Sequence, residues 1–253
     1  MIAVWITVLL AQVAPANPVT VGTPVRVAEL DSGKLKGQPK RLAWSPDGAR
    51  LYLLVTEQKG AAPVERHYLI AASGGAAEAS DTPPDWASKY WAWKSAQAAP
   101  GAPDFKIEIA QEEKVNRATA APMGGDLARG GTSSGEGTSV GDATSAAYQT
   151  QNSMVYSMKL KGQIVGEFVN SPIVPGLTFG WSPQALGLIA YAHKSGQVMI
   201  MDRTGLVTEI KDSGAALLPA WSEDGGKLAF LRREGRSKYR LMVATVTPGG
   251  SAR

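Results

Sequence analysis

Three short stretches of this 253-residue chain say nearly the same thing. Leu42-Ala-Trp-Ser-Pro-Asp-Gly48 runs into Ala-Arg-Leu-Tyr-Leu-Leu-Val, Phe179-Gly-Trp-Ser-Pro-Gln184 runs into a hydrophobic stretch, and Pro219-Ala-Trp-Ser-Glu-Asp-Gly225 runs into Gly-Lys-Leu-Ala-Phe. A turn that recurs with the same apolar strand behind it marks a chain assembled from copies of one β-unit. The letters of the turn explain its shape. Pro46 presets its backbone angle for the second position of a tight turn, Asp47 can accept hydrogen bonds from its own backbone, and Gly48 supplies the permissive corner.

The runs after the turns, Arg50–Val55, Gly187–Ala192 and Lys227–Leu231, have the length and the aliphatic and aromatic content of strands. Each leads through a polar turn to a third strand, at His67–Ile70, Gln197–Met201 and Tyr239–Val246, and a more polar stretch such as Leu206–Ile210 closes the unit. Four short antiparallel strands per unit match one blade of a β-propeller. Trp181 and Trp221 stand about 40 residues apart, the period of such blades, and the gap from Trp44 to Trp181 holds about three periods. One missing unit is expected at Tyr90–Ser95, with Trp93 in the slot of the repeated Trp and Phe105–Ile109 as a later strand. A degenerate one is expected around Met154–Leu160 and Gln163–Val169. The expectation is an all-β propeller of about five units, five or six. Pro24–Leu30 followed by Asp31-Ser-Gly33 resembles a third strand and its turn, so N-terminal strands are expected to complete the C-terminal unit and remove its exposed edge.

The Trp-Ser-Pro-Asp-Gly turn with its following Leu-Ala-Phe strand resembles the TolB-type propeller repeat. The resemblance is good at Trp44 to Val55 and at Pro219 to Phe230, partial at Phe179 to Ala192, and absent from Gly124 to Thr150. It is also similar to the propeller domains of prolyl-oligopeptidase-type hydrolases, so it implies a fold family and leaves the partner open.

A single all-β unit over residues 17–253 is compatible with this length. The absence of cysteine excludes disulfides and thiolate metal sites, and a net charge of +4 without a basic, aromatic-interleaved stripe gives no support to nucleic-acid binding. Ile2–Leu10 is an apolar run too short to span a bilayer, and Ala14-Pro-Ala16 offers small residues where a signal peptidase reads. Residues 1–16 therefore read as a signal peptide and imply a periplasmic or secreted protein, although Arg26 is the first basic residue and a buried first strand is the alternative. From 123 to 150 Gly, Ser, Thr and Ala dominate, the composition of a flexible insertion. Its two Gly-x-Ser-x-Gly matches, at Ser133 and Ser139, lack the strand before and the helix after that a nucleophile elbow requires.

Other chemical candidates are sparse. His67 and His193 fall at strand ends without metal-ligand spacing, and no cofactor or metal is expected. Asp47, Asp202 and Asp224 belong to turns. The recurring Trp44, Trp181 and Trp221 suit packing between units. Trp86, Trp91 and Trp93, crowded with Tyr90, exceed what the repeat needs, so Trp86 and Trp91 are candidates for a binding patch. In the last unit Arg232, Arg233, Arg236, Lys238 and Arg240 surround a single Glu234 on a hairpin, a set that suits carboxylate or phosphate, or a solvated turn that protects a sheet edge. Two function classes follow. One is a non-catalytic scaffold that binds a protein or cell-envelope partner through its rim. The other is a lactonase- or glycosidase-like hydrolase or lyase using carboxylates in a central channel.

Overall fold

The computed structural model describes residues 19–59, 62–94, 98–99, 102–117, 150–169, 178–183, 186–193 and 195–249. Among these residues the chain is all-β apart from one helix, and its strands form four antiparallel sheets. Two short N-terminal strands, β1 (Val19–Val21) and β2 (Val25–Asp31), come first. The first sheet follows as a meander of β3 (Gln38–Trp44), β4 (Arg50–Lys59), β5 (Ala62–Ala71) and β6 (Glu78–Ser80). After the helix α1 (Asp85–Lys94) comes the second sheet, β7 (Ala98–Ala99), β8 (Ala102–Arg117), β9 (Thr150–Leu160) and β10 (Gln163–Val169). The third is β11 (Phe179–Trp181), β12 (Leu188–Ala192), β13 (Val198–Asp202) and β14 (Val207–Ile210). The fourth holds β15 (Ala216–Trp221), β16 (Lys227–Arg233) and β17 (Lys238–Pro248).

The outer edge of β17 is closed by the N-terminal strands. β2 pairs with it from Asp31 opposite Lys238 to Val25 opposite Val243, and β1 continues from Val21 opposite Val246 to Val19 opposite Pro248. The first residues of the fold thus supply the fourth strand of the last sheet, as the strand-and-turn pattern at Pro24–Gly33 suggested. An unpaired β17 would expose a long row of N–H and C=O groups.

Four sheets stand among the described residues, and strands inferred for two middle units share one of them: Phe105 lies in β8, Met154–Leu160 in β9 and Gln163–Val169 in β10. One expectation is corrected. Tyr90–Trp93 is not a blade turn but part of α1. Pro83-Pro84 ahead of Asp85 is a helix-start signal with acid in the first turn, and alanines and lysines behind it favour helix, so the tryptophans there lack a strand context. Arg117 and Thr150 stand opposite each other in the β8–β9 ladder, so the chain between them leaves and returns at one point. Most of the segment inferred as an insertion lies there, outside the described residues, as do Ser133, Ser139 and the inferred leader at 1–16.

The repeated turn has the same hydrogen bonds at both well-matched copies. Ser45 Oγ donates to Asp47, the Ala49 N–H donates to Asp47 Oδ1 at 3.0 Å, and the Arg50 N–H donates to Ser45 Oγ at 2.9 Å. Ser222, Asp224, Gly226 and Lys227 reproduce this set at 2.6, 3.0 and 2.9 Å. Gly48 and Gly225 take φ of 66° and 71°, the left-handed corner that a side chain disfavours. The Phe179 copy has Gln184 in place of the Asp in its sequence; there Ser182 Oγ accepts from the Leu188 N–H at 2.8 Å.

Two of the turn tryptophans then tie their sheets to a neighbour. The Trp44 indole N–H donates to the Ala220 carbonyl at 2.9 Å, and the Trp221 indole N–H donates to the Gly180 carbonyl at 3.0 Å. In both cases the acceptor immediately precedes the tryptophan of the next sheet. The strands approach so closely that a Cβ on Gly180 would stand 2.6 Å from the Pro219 carbonyl oxygen. The three buried clusters lie between sheets: first with fourth around Leu53 and Leu231, fourth with third around Phe230 and Ile200, third with second around Trp181 and Phe105. The last two rings meet edge to face, centroids 5.3 Å apart.

Removing residues 17–33 strips β17 of its partner and exposes the buried Val19, Ala28 and Leu30, so a loss of about 4 kcal/mol or more is expected. Thermal melting followed by circular dichroism checks it, and an unchanged midpoint counts against the closing role of these strands. Hydrogen bonds from Ser45 and Ser222, and then from the backbone N–H groups of Ala49 and Gly226, hold Asp47 and Asp224 below their ordinary value of 3.8. A depressed carboxyl contributes its stability above the unfolded value and loses it as pH falls through the folded one. Urea midpoints of the wild type and of Asp47→Asn/Asp224→Asn should therefore differ at about pH 7 and draw together as pH falls below the ordinary carboxylate range.

Candidate functional site

The helix α1 and the first sheet together form a surface of mixed aromatic, basic and acidic side chains. It packs against β3 of the first sheet with Ala87, Tyr90 and Trp91 buried, while Tyr90 reaches the fourth sheet and donates to the Trp221 carbonyl at 2.9 Å. A helix does not cover a twisted sheet as another sheet would, and a cleft of about 320 Å³ remains between them. Strand pairing brings its walls together from distant sequence. Arg41 on β3 lies opposite Leu54 on β4, and Leu54 opposite His67 on β5, so one row crosses three strands. Tyr52 and Glu65 project from the same face two residues away on β4 and β5, because alternate residues share a face.

The Tyr52 hydroxyl and His67 Nδ1 share a hydrogen bond of 2.8 Å, and their rings stack with centroids 6.0 Å apart. Trp86 meets Tyr52 edge to face at 6.2 Å, and the Arg41 guanidinium lies over the Trp91 ring, 5.6 Å from its centroid. Partial burial, reinforced by the negative charge of Glu65 and opposed by Arg41, pushes the Tyr52 phenol up to about 12. The phenol therefore stays protonated and can act as a hydrogen-bond donor throughout neutral pH.

Of the two tryptophans singled out from sequence, Trp91 lines this cleft as a mostly buried wall, whereas Trp86 touches Tyr52 edge to face and lines a separate hollow with Pro46 and Arg50. Arg41, Tyr52 and Glu65 escaped sequence reasoning, and His67, weighed there only as a metal ligand, gained its partners from the fold. The period-two pattern of β4 and β5 placed Tyr52 with Leu54 and His67 with Glu65, but only the register set them side by side.

The basic hairpin is arranged differently from a free arginine fork. Arg232 and Arg240 face each other across β16 and β17, and Glu234 neutralises the opposition: its Oε1 accepts from Arg232 Nη2 at 2.7 Å and its Oε2 from Arg240 Nη2 at 2.9 Å. Arg232 Nη1 also donates to the Asp212 carbonyl at 3.0 Å, and Arg233 Nε to the Gly235 carbonyl at 2.7 Å. The Arg232, Arg233 and Arg240 side chains are thus partly committed inside the hairpin, and the exposed Arg236 and Lys238 carry its outward charge. Beside it, Lys34 and Lys238 line a cleft with Glu29 and Asp31.

Among the described residues no three His, Asp or Glu side chains gather in a manner that could hold a metal ion, and no helix is long and apolar enough to cross a membrane. His193 bonds Ser195 through Nδ1 at 2.9 Å, and Asp202 accepts from the Thr204 and Leu206 N–H groups, so both act locally in turns. Comparison with protein-family models and with curated proteins returned no match.

Tyr90→Phe removes the donor to the Trp221 carbonyl and should lower stability by about 1–2 kcal/mol. Burial holds the Tyr90 phenol well above its ordinary value of 10.0, so the native state resists ionisation and stability falls as pH rises beyond that value. The variant should accordingly show a shallower decline in melting temperature above about pH 10; an identical slope would assign the alkaline decline to other groups.

Proposed function

We propose that this protein is a β-propeller scaffold of the TolB-type repeat class that acts in the periplasm or outside the cell, binds a protein or cell-envelope partner through its rim, and performs no chemistry of its own. Four sheets of blade size, linked through Trp44 and Trp221 to the inner strand of a neighbour, support the propeller part of this reading. The N-terminal strands completing the last sheet support it too, since such pairing leaves no long edge exposed.

The observation that carries the binding role is the ion-paired hairpin at Arg232–Arg240. Glu234, gripped by two arginines, holds the turn in one shape, and Arg236 and Lys238 stand outward from it. A basic loop already ordered on a rigid sheet loses little conformational entropy when an acidic surface meets it. Attraction of this kind acts on the association rate and weakens with salt.

Arg236→Glu with Lys238→Glu should weaken capture of the partner from a cell-envelope extract by about tenfold or more without lowering the melting temperature, and raised salt should mimic the loss. Undiminished capture by a folded double variant places the interface elsewhere on the molecule.

A further inference from the structure

The cleft between α1 and the first sheet carries two exposed formal charges with no ion-pair or hydrogen-bond partner from the protein among the described residues. Arg41 lies over Trp91, yet among the described residues its guanidinium makes no hydrogen bond or ion pair. Glu65 likewise lines the cleft without an ion pair or hydrogen bond among the described residues, while the neighbouring Arg66 is already taken by Glu57 at 2.8 Å. The two groups rise from β3 and β5, two strands across and two residues along, so about 12 Å apart at the backbone, with long side chains that can converge from opposite sides. The same cleft is lined by flat or polarisable walls, the stacked Tyr52 and His67 pair and the Trp91 ring. Ser88 adds a hydroxyl from the helix.

We infer that this cleft is a binding site for a small zwitterion carrying a flat apolar group, the chemistry of an aromatic amino acid. Its carboxylate would pair with the planar fork of Arg41, its ammonium with Glu65, and its ring would lie against Tyr52, His67 and Trp91. The charge pattern favours this class over a simple anion or cation. One positive and one negative wall group reward a ligand with both signs, whereas either charge alone would be attracted by one wall and repelled by the other. The guanidinium suits a carboxylate because two N–H donors match its two oxygens, and the cation–π contact with Trp91 holds it at the cleft without using those donors. The volume, about 320 Å³, is near the lower end of small-ligand sites and fits a free amino acid rather than a long peptide. The site is independent of the basic hairpin.

The test is isothermal titration calorimetry of the full chain with L-phenylalanine, phenylalaninamide and N-acetyl-phenylalanine. L-Phenylalanine should bind with a Kd below about 1 mM, and each capped probe, having lost one charged end, should bind about tenfold more weakly. In Arg41→Gln the preference for phenylalanine over its amide should vanish while the preference over the N-acetyl compound persists; in Glu65→Gln the reverse is expected. This crossed pattern distinguishes paired recognition from general loss of the site. A circular dichroism melt of each variant reports its fold, and if either variant is unfolded the two capped probes on the wild-type protein decide. No heat with L-phenylalanine up to about 10 mM, or capped probes binding as well as the free amino acid, overturns the assignment.

Discussion

The architecture depends on one hydrogen bond made repeatedly: an indole N–H from the turn of one sheet to the carbonyl just before the corresponding tryptophan of its neighbour. Trp44 reaches Ala220 and Trp221 reaches Gly180, so the same unit donates with its side chain and accepts with its backbone. Both tryptophans are almost wholly buried. A buried carbonyl deprived of its donor loses about 1–3 kcal/mol, which makes the spacing between neighbouring inner strands hard to change. Gly180 shows how tight that spacing is, since a Cβ there would press against the Pro219 carbonyl. Lys227, whose ammonium lies 5.8 Å from the Trp44 ring centroid, covers the first of these junctions from the fourth sheet.

Where the repeat is interrupted, the molecule gains a different surface. Sheet packs on sheet at three junctions, each filled by its own apolar cluster. On the first sheet, α1 lies across part of a face, anchored by Tyr90 and Trp91. A helix presents a curved stripe and leaves room beside it, and the residues around that room are polar and aromatic rather than aliphatic. The hairpin of the fourth sheet obeys a different logic. Two arginines placed opposite each other by the ladder would repel, and Glu234 turns that repulsion into a bridge that orders the loop.

Much of this was visible in the letters of the chain. The Ser-Asp-Gly chemistry of the turn at Ser45 and Ser222 specifies its hydrogen bonds locally, so residues close in sequence sufficed to infer it. The strand-and-turn pattern at Pro24–Gly33 was likewise enough to assign the fourth strand of the last sheet. Tyr90–Trp93 misled because aromatic residues favour strands in general, whereas the prolines and Asp85 before them impose a helix start. The spacing from Trp44 to Trp181 holds, besides strands, a helix and the chain between Arg117 and Thr150, so length there does not translate directly into units.

What the sequence by itself determined is therefore the unit: a tight Trp-Ser turn, an apolar strand, and a small set of polar turns, all governed by interactions within a few residues. What only the tertiary structure decided is which units are neighbours and which side chains face one another. Arg41, Tyr52 and His67 acquire a shared cleft solely through the register of three strands and the helix above them. Arg232, Arg233 and Arg240 look like free cations in the sequence and are partly committed in the fold, because strand pairing brings Glu234 between two of them and turns Arg233 onto the Gly235 carbonyl. Register and packing are long-range quantities, set by burial across sheets, and no local pattern encodes them alone.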